Sequence, residues 1–398
     1  MNPTVCYLDN NSTTAVLPEV VEEMLLCFAE SFGNPSSIHG CGRRALAIVK
    51  QARERVAALL DCLPTEVVFT SGGTEGDNLA LKGMISPGDH LIVSAIEHSA
   101  ILSTCVCLEH IGCEVTRVGV NGSGQVEPES VRRALRRNTR LISIMMANNE
   151  TGVLQPVEEI GKIAVEADVW FHTDAVQAAG KVPISVKNIS CDLLTISAHK
   201  FHGPQGAGAL FVRRGTLLRP QLHGGHQEKG RRPGTENVAG IAGLGRASEI
   251  ARSGLSDGSM QRIGALRDRL EAAVVERVPE TRINGKGAPR VPNTTNILFE
   301  RVRGDALVMA LDEFNIAASR GAACTAGEAD PSSVLMAMGL TGEQSRSSLR
   351  FSLGKLNTAE DIERVISVLP GAVQRLRVAS QFFASSDTKT KKDDDVFL

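Results

Sequence analysis

The sequence predicts an α/β protein, with a large domain built on a mostly parallel sheet between helices and a smaller α+β domain beside it. Three observations lead there. From about residue 44 to 300, short apolar runs bounded by turn residues alternate with amphipathic helical stretches, the pattern of buried strands joined by crossover helices. The chain has 398 residues, enough for two domains of ordinary size. After about residue 255 the pattern changes, and a long helical stretch leads into only two further strand-like runs.

Taken in order, the first clear element is a helix in which Ile48, Val49, Ala52, Val56, Leu59 and Leu60 share one face, with Lys50, Arg53 and Glu54 opposite. The strand-like runs follow: EVVFT (66–70), HLIVSA (90–95), RLISIMM (140–146), DVWFH (168–172), DLLTI (192–196) and GALFV (208–212). Helical stretches at 127–137 and 156–167 separate several of them. Beyond residue 255 come a helix at about 260–278, strands near 294–299 and 348–353, and a closing helix at about 358–376. The large domain is therefore expected over 15–254 and the small one over 1–14 with 255–385. Residues 386–398, polar and charged, are expected to form a disordered tail.

Composition narrows the function. Apolar residues make up 42% and charged residues 22%, the balance of a soluble globular protein. A formal net charge of −2 offers no basic surface, so neither direct nucleic-acid binding nor membrane attachment is expected. No run of about 18 apolar residues could span a bilayer, and MNPTVCYLDNN lacks the basic start and apolar stretch of a secretory signal. A reducing cytoplasm is the expected compartment. The 9 cysteines are scattered and form no zinc spacing, so no metal site is expected. Cys105, Cys107 and Cys113 fall in an apolar helical run and read as small core fillers.

The most informative segment is TISAHKFHGPQGAGALFV (195–212). A lysine, Lys200, follows a strand end and precedes a Gly/Pro-rich turn. A cofactor held as a Schiff base needs a reachable lysine beside hydroxyl, imidazole and backbone donors for its phosphate. An exposed strand-end lysine would read the same way on these residues alone. Upstream, FTSGGTEGDNLAL (69–81) reads strand, glycine turn, helix start, where free amides and the Thr74 hydroxyl suit a phosphate. It is neither a Walker A loop nor a G-x-G-x-x-G fingerprint.

In DVWFHTDAVQAAGK (168–181), alternation puts Trp170, His172 and Asp174 on one face. A carboxylate at that strand end can hold a pyridinium N–H or simply cap the next helix. Gln177 can reach a ring hydroxyl, and His98 in IEHSA (96–100) can stack on a ring and move protons, or serve structure only. All these segments lie at the C-terminal ends of expected strands, the edge where open α/β sheets bind ligands.

With these motifs in view, the sequence resembles the cysteine desulfurases of the NifS/IscS group, class-V aminotransferase relatives with the fold-type I architecture of pyridoxal-phosphate enzymes. The match runs through YLDNNSTT (7–14), FGNPSSIHG (32–40), SGGTEGDN (71–78), ANNETG (147–152), FHTDAVQAAGKVPI (171–184), SAHKFHGPQG (197–206), GGHQEKGRRPGTEN (224–237), GAACTAG (321–327) and LRFSLG (349–354). It covers roughly 1–375, and the spelling is nearest the nitrogen-fixation type. The resemblance implies pyridoxal 5′-phosphate as cofactor, L-cysteine as substrate, alanine as product and a persulfide on an enzyme cysteine. It implies that Lys200 holds the cofactor and takes the substrate's α-proton. Gly73, Thr74, Ser197 and His199 would bind the phosphate, Asp174 the pyridine nitrogen, and Asn149 and Gln177 the ring hydroxyl, with His98 stacked on the ring. Arg350 would clamp the substrate carboxylate, for which a guanidinium fork is suited. Thr235 would reach the phosphate in the partner subunit, which implies a homodimer.

Cys324 is the implied sulfur acceptor. It sits in SRGAACTAGEADPSS, a Gly/Ala/Ser/Thr stretch ahead of a helix expected to open at Pro331. A thiolate there could also ligate a nascent cluster transiently. The persulfide would pass to an acceptor protein such as an iron–sulfur scaffold. Two positions depart from the family's usual pattern: Arg320 stands where a serine is usual, and Ala322 where one is frequent. A cation at Arg320 would lower the thiol pKa if it faced Cys324; facing solvent or a partner protein, it would not. A selenocysteine lyase, an aminotransferase and a non-enzymatic scaffold remain as rival readings. Activity after Cys324→Ala, turnover of a keto-acid and decay of the cofactor residues separate them in turn.

Overall fold

The computed structural model describes residues 5–321 and 330–393, with side chains as far as residue 379. Cys324 and Ala322 lie outside the described residues. The chain opens with β1 (Cys6–Tyr7). The strands of the main sheet follow: β2 (Val67–Thr70), β3 (His90–Ser94), β4 (Glu114–Val118), β5 (Thr139–Ser143), β6 (Trp170–Asp174), β7 (Leu193–Ser197) and β8 (Gly208–Val212). They form a seven-stranded sheet in the order β2-β8-β7-β6-β5-β3-β4. Within it β7, β6, β5, β3 and β4 run parallel, while β8 is antiparallel to both β7 and β2. The sheet is thus α/β and mixed, with one reversed strand. Because β2 is reversed twice, it ends at the same edge as the parallel strands.

Burial explains the apolar runs. The strands β2, β3, β7 and β8 are buried along their whole length, as expected where helices cover both faces. One core lies between the sheet and helices that include Gly40–Leu60 and Val157–Glu166. A second lies under the helices Gly73–Met84 and Ser99–His110 on the opposite face. Glycine permits the closest approach: a Cβ on Gly161 would sit 1.9 Å from the Ile189 carbonyl oxygen.

The remaining strands are β9 (Thr281–Asn284), β10 (Thr294–Phe299), β11 (Ile316–Ala317) and β12 (Ser348–Ser352). An antiparallel sheet β12-β10-β9 and a parallel pair β1-β11 share a separate core, with Leu266, Leu270, Phe299, Phe351, Ile362 and Leu369 among its members. Along β12, Leu349 and Phe351 enter this core, while Ser348, Arg350 and Ser352 face the other way and are equally buried. That second face bonds to the N-terminal segment: Asn11 N donates to Ser352 Oγ at 2.9 Å and Asn11 Nδ2 to Thr294 Oγ1 at 2.9 Å.

Three expectations change. Cys107 is exposed, whereas Cys105 and Cys113 are buried: with 3.6 residues per turn, two positions on from a core residue leaves the apolar stripe. The helix expected at Pro331 opens at Ser333, because the Ser332 hydroxyl caps it by accepting from Leu335 N at 3.1 Å. The closing helix runs Ala359–Asp393, well past residue 376 and into the segment expected as a tail.

Candidate active site

The strand ends bring the site together. A cavity of about 500 Å³ opens at the C-terminal edge of the main sheet, against the inner face of β12. Its lining includes Gly73, Thr74, His98, Asn149, Asp174, Gln177, Ser197, His199, Lys200 and Arg350. Of the expected site residues, Thr235 is exposed and lies outside this lining, and Cys324 lies outside the described residues.

The lysine sits where β7 gives way to a short turn. Lys200 Nζ donates to the backbone carbonyls of Asn11 and Ser12, each at 2.7 Å. Its neighbour His199 is held through Nδ1 against Thr13 Oγ1 at 3.1 Å, and burial lowers its pKa to about 4, so the ring is neutral. Across the cavity, the helix Gly73–Met84 starts directly after the glycine turn, and its first N–H groups have no partner within the helix. A Cβ on Gly73 would lie 2.9 Å from Val176 Cγ2, so only glycine lets the turn sit this close to the Asp174–Gln177 segment.

His98 has two duties. It caps the helix Ser99–His110, its Nδ1 accepting from Ala100 N at 3.1 Å. With Nδ1 an acceptor, the neutral ring carries its proton on Nε2. Burial lowers its pKa, Asp174 opposes that shift, and Lys200 adds to it. Asp174 ends β6, and its Oδ1 accepts from Val176 N at 2.8 Å. Burial raises its pKa, against the pull of His98, that bond and Lys200. A carboxyl in this position is ionised at least cost when a cation meets it.

Arg350 is 2% exposed, one of the largest fully buried side chains. It donates through Nη1 to the Asn149 carbonyl at 2.9 Å, and through Nη2 to Asp9 Oδ1 at 2.6 Å and Ser12 Oγ at 2.7 Å. Its Nε has no partner among the described residues. Arg320, the family departure, lies with its Cδ near Gly304 at the start of the helix Gly304–Asp312. There Asp305 is held below the usual carboxylate range, chiefly by Arg303 and in smaller part by Arg320.

The class-V aminotransferase family profile matches residues 6–365. "Cysteine desulfurase 1" of Trichormus variabilis is 48% identical over 382 residues, covering 95% of each chain. "Cysteine desulfurase IscS" of Methanosarcina thermophila is 48% identical over 375 residues, 93% of this chain and 92% of its own. Among solved structures, a NifS-like protein from Rickettsia africae superposes with a TM-score of 0.85 at 35% identity, over 93% of this chain and 100% of the other. "SspA in complex with cysteine" superposes at 0.78 and 38% identity, over 89% and 100%. The chain belongs to the class-V aminotransferase family. Within it, the chain is a member of the NifS/IscS-type cysteine desulfurases, with the fold-type I architecture.

For a member of that group, the residues present suit pyridoxal phosphate: a lysine amine, a buried carboxyl, neutral imidazoles and a glycine cradle at a helix start share one cavity. The sequence reading missed several groups that share it. Asn11, Ser12, Asp77, Glu97 and Glu150 line it as well. Asp77 Oδ1 and Glu97 Oε2 are buried without a hydrogen bond among the described residues, although Asp77 Oδ1 lies 3.6 Å from His172 Nε2. Glu97 Oε1 accepts from Ser94 Oγ at 2.5 Å and Met145 N at 2.9 Å, while burial pushes its pKa up to about 8. Glu97 precedes His98 in sequence, and that adjacency was the available signal.

Among the described residues, no group of three or more His, Cys, Asp and Glu is placed to hold a metal, and no helix is long and apolar enough to cross a membrane.

Proposed function

We propose that this chain converts L-cysteine to L-alanine and transfers the sulfur to its own Cys324, using pyridoxal phosphate held by Lys200. The observation that carries this reading is the convergence of Lys200, Asp174, His98 and Arg350 on one cavity. Relatives named cysteine desulfurases, and a similar structure solved with cysteine, support the substrate. When bound, pyridoxal phosphate supplies an electron-withdrawing ring that stabilises charge at the substrate's α-carbon.

The chain's own residues do the rest. Gly73, Thr74, Ser197 and His199 hold the phosphate, Asp174 meets the pyridine nitrogen, and Asn149 and Gln177 meet the ring hydroxyl. His98, which lines the cavity and keeps Nδ1 on Ala100 N, would stack on the ring. Arg350 binds the substrate carboxylate, and the Lys200 amine takes the α-proton. The Cys324 thiolate attacks the substrate sulfur: the Cβ–Sγ bond breaks, an S–S bond forms on Cys324, and a proton replaces sulfur on the carbon. Alanine and persulfide account for every atom, with no outside oxidant.

The separate cores support domains at 15–254 and at 1–14 with 255–385. The exposed Val21, Leu25, Leu26 and Phe28 on the helix Pro18–Ala29 support a homodimer in which Thr235 serves the partner's site. The persulfide then passes to an acceptor protein such as an iron–sulfur scaffold.

The test is direct. Incubated with cysteine and a reductant, the purified protein should release alanine and sulfide in equal amounts. Borohydride reduction followed by peptide mapping should find the pyridoxyl group on Lys200. Cys324→Ser should bind cysteine yet release neither product. A pyridoxyl group on another lysine, or full turnover by Cys324→Ser, would overturn the assignment.

A further inference from the structure

Lys181 is an amine with no place in the chemistry above, yet it lies within a few bonds of it. It is 7% exposed, at the seam between the N-terminal segment and the turn after β6. Its Nζ donates to Gln177 Oε1 at 2.7 Å and to Asn11 Oδ1 at 3.0 Å. Asn11 is the hub of the seam. Its Oδ1 also accepts from Asn293 Nδ2 at 3.1 Å, and its Nδ2 donates to the Asn149 carbonyl at 3.1 Å. Its backbone carbonyl takes both Gln177 Nε2, at 2.9 Å, and Lys200 Nζ, at 2.7 Å. Two lysines therefore grip opposite ends of one asparagine.

This arrangement decides which way round the Gln177 amide sits. The Asn11 carbonyl only accepts, so it requires the nitrogen of Gln177 on its side. The oxygen then points into the seam, where an unpartnered carbonyl would be costly, and Lys181 satisfies it. With one hydrogen of its NH₂ used on Asn11, Gln177 has a second to offer the cavity it lines. Burial, with smaller effects from Lys200 and Arg350, holds the Lys181 pKa well below its ordinary value. The Nζ hydrogens reach two acceptors, one on each side of the seam.

We infer that Lys181 is a positioning residue: by holding Gln177 Oε1 and Asn11 Oδ1, it fixes Gln177 as a hydrogen-bond donor to the ring oxygen of the cofactor. This rests on the proposed pyridoxal-phosphate site. In its absence the buried Gln177 carbonyl seeks another partner, and the amide leaves the ring oxygen.

The test is a double-mutant cycle of Lys181→Met and Gln177→Ala. Two quantities are read: the dissociation constant of pyridoxal phosphate titrated into apoprotein, and the visible absorption of the holoenzyme across pH. Lys181→Met is expected to weaken binding about tenfold, the worth of one oriented hydrogen bond, and to shift the visible band. Its kcat falls while KM for cysteine stays within about twofold, since Arg350 is untouched. In the Gln177→Ala background, Lys181→Met should change neither quantity further. Parent-like affinity and spectrum in Lys181→Met overturn the inference, and so do additive effects, which mark a general role in the seam. A Gln177→Ala variant that binds and absorbs like the parent instead overturns the Gln177 assignment within the proposed site. If Lys181→Met is not recovered folded, Lys181→Gln, which keeps a polar group but cannot reach both acceptors, takes its place under the same criteria.

Discussion

A guanidinium as deeply buried as that of Arg350 needs an acceptor for each of its N–H donors, and the fold leaves Nε without one among the described residues. A substrate carboxylate can meet that need. Arg350→Lys keeps the charge but loses the fork, and is expected to raise KM for cysteine about a hundredfold with the holoenzyme spectrum unchanged. Steady-state kinetics beside absorption spectra check this. Glu97 gives a prediction in pH. Its folded pKa of about 8 lies above the usual carboxylate range, so the proton is bound more tightly in the folded protein. The stabilisation is complete below the unfolded pKa and is lost as pH rises towards about 8. Glu97→Gln cannot titrate. Relative to the parent, it should therefore gain stability between about pH 5 and about pH 8, by a few kcal/mol at most, read from denaturant midpoints at each pH. At this scale Lys200, Asp174 and Arg350 were each ambiguous as single residues; the motifs of the resemblance singled them out, and the fold brings all three to one cavity. Glu97 and Asp77 were not legible, because their significance lies in burial beside the site, each with one carboxylate oxygen that lacks a hydrogen bond among the described residues. Lys181, in AAGK, reads as an ordinary charged residue until the fold closes over it.

Strands were legible in proportion to their burial. GALFV and TTNILF are apolar enough to mark themselves, and β8 and the strand near 294–299 fall where expected. β4, EVTRV, escaped notice because it is a half-exposed edge strand with charged residues and no apolar run. The direction of β8 was hidden for another reason: only the segment 198–207 joins it to β7, too short for a parallel crossover, and the pairing Ser197↔Gly208 is accordingly antiparallel. The element that most directly reports the site is β6. Trp170, the single tryptophan, begins it and Asp174 ends it, so the two are about 13 Å apart along the strand. Trp170 is half-buried against the core under the helix Gly73–Met84. Its emission overlaps cofactor absorption, so binding of pyridoxal phosphate should quench it. Equal emission from apo and holo protein would separate β6 from the cofactor.

At the scale of the molecule, the main sheet with its two flanking cores and the separate core of the small sheet meet through polar contacts around the N-terminal segment and Arg350, and the site lies within that seam. Amphipathic patterns foretell cores, but the polar inner face of β12 resembles a solvent-facing one in sequence, so the seam was not legible. The same limit applied to the outer surface. The loop 224–237 carries Thr235 and is pinned to the rest of the chain by Arg53–Glu228 at 2.5 Å and Arg232–Glu75 at 2.8 Å. Arg53 also stacks on Phe69, 4.5 Å from the ring centroid. Those anchors leave Thr235 exposed and outside its own cavity. If Thr235 serves the partner's phosphate, cofactor affinity must depend on association. Phe28→Glu places a charge on the exposed apolar face of the helix Pro18–Ala29, where Phe28 is 67% exposed, and is expected to yield monomers. Those monomers should bind pyridoxal phosphate about tenfold more weakly or worse, as one lost charge-assisted hydrogen bond implies. Thr235→Ala should weaken binding similarly while remaining dimeric. Sedimentation and cofactor titration on both variants read the two effects separately. Monomers with parent-like affinity would return Thr235 to a role within its own loop. Dimeric Phe28→Glu would move the interface elsewhere on the surface.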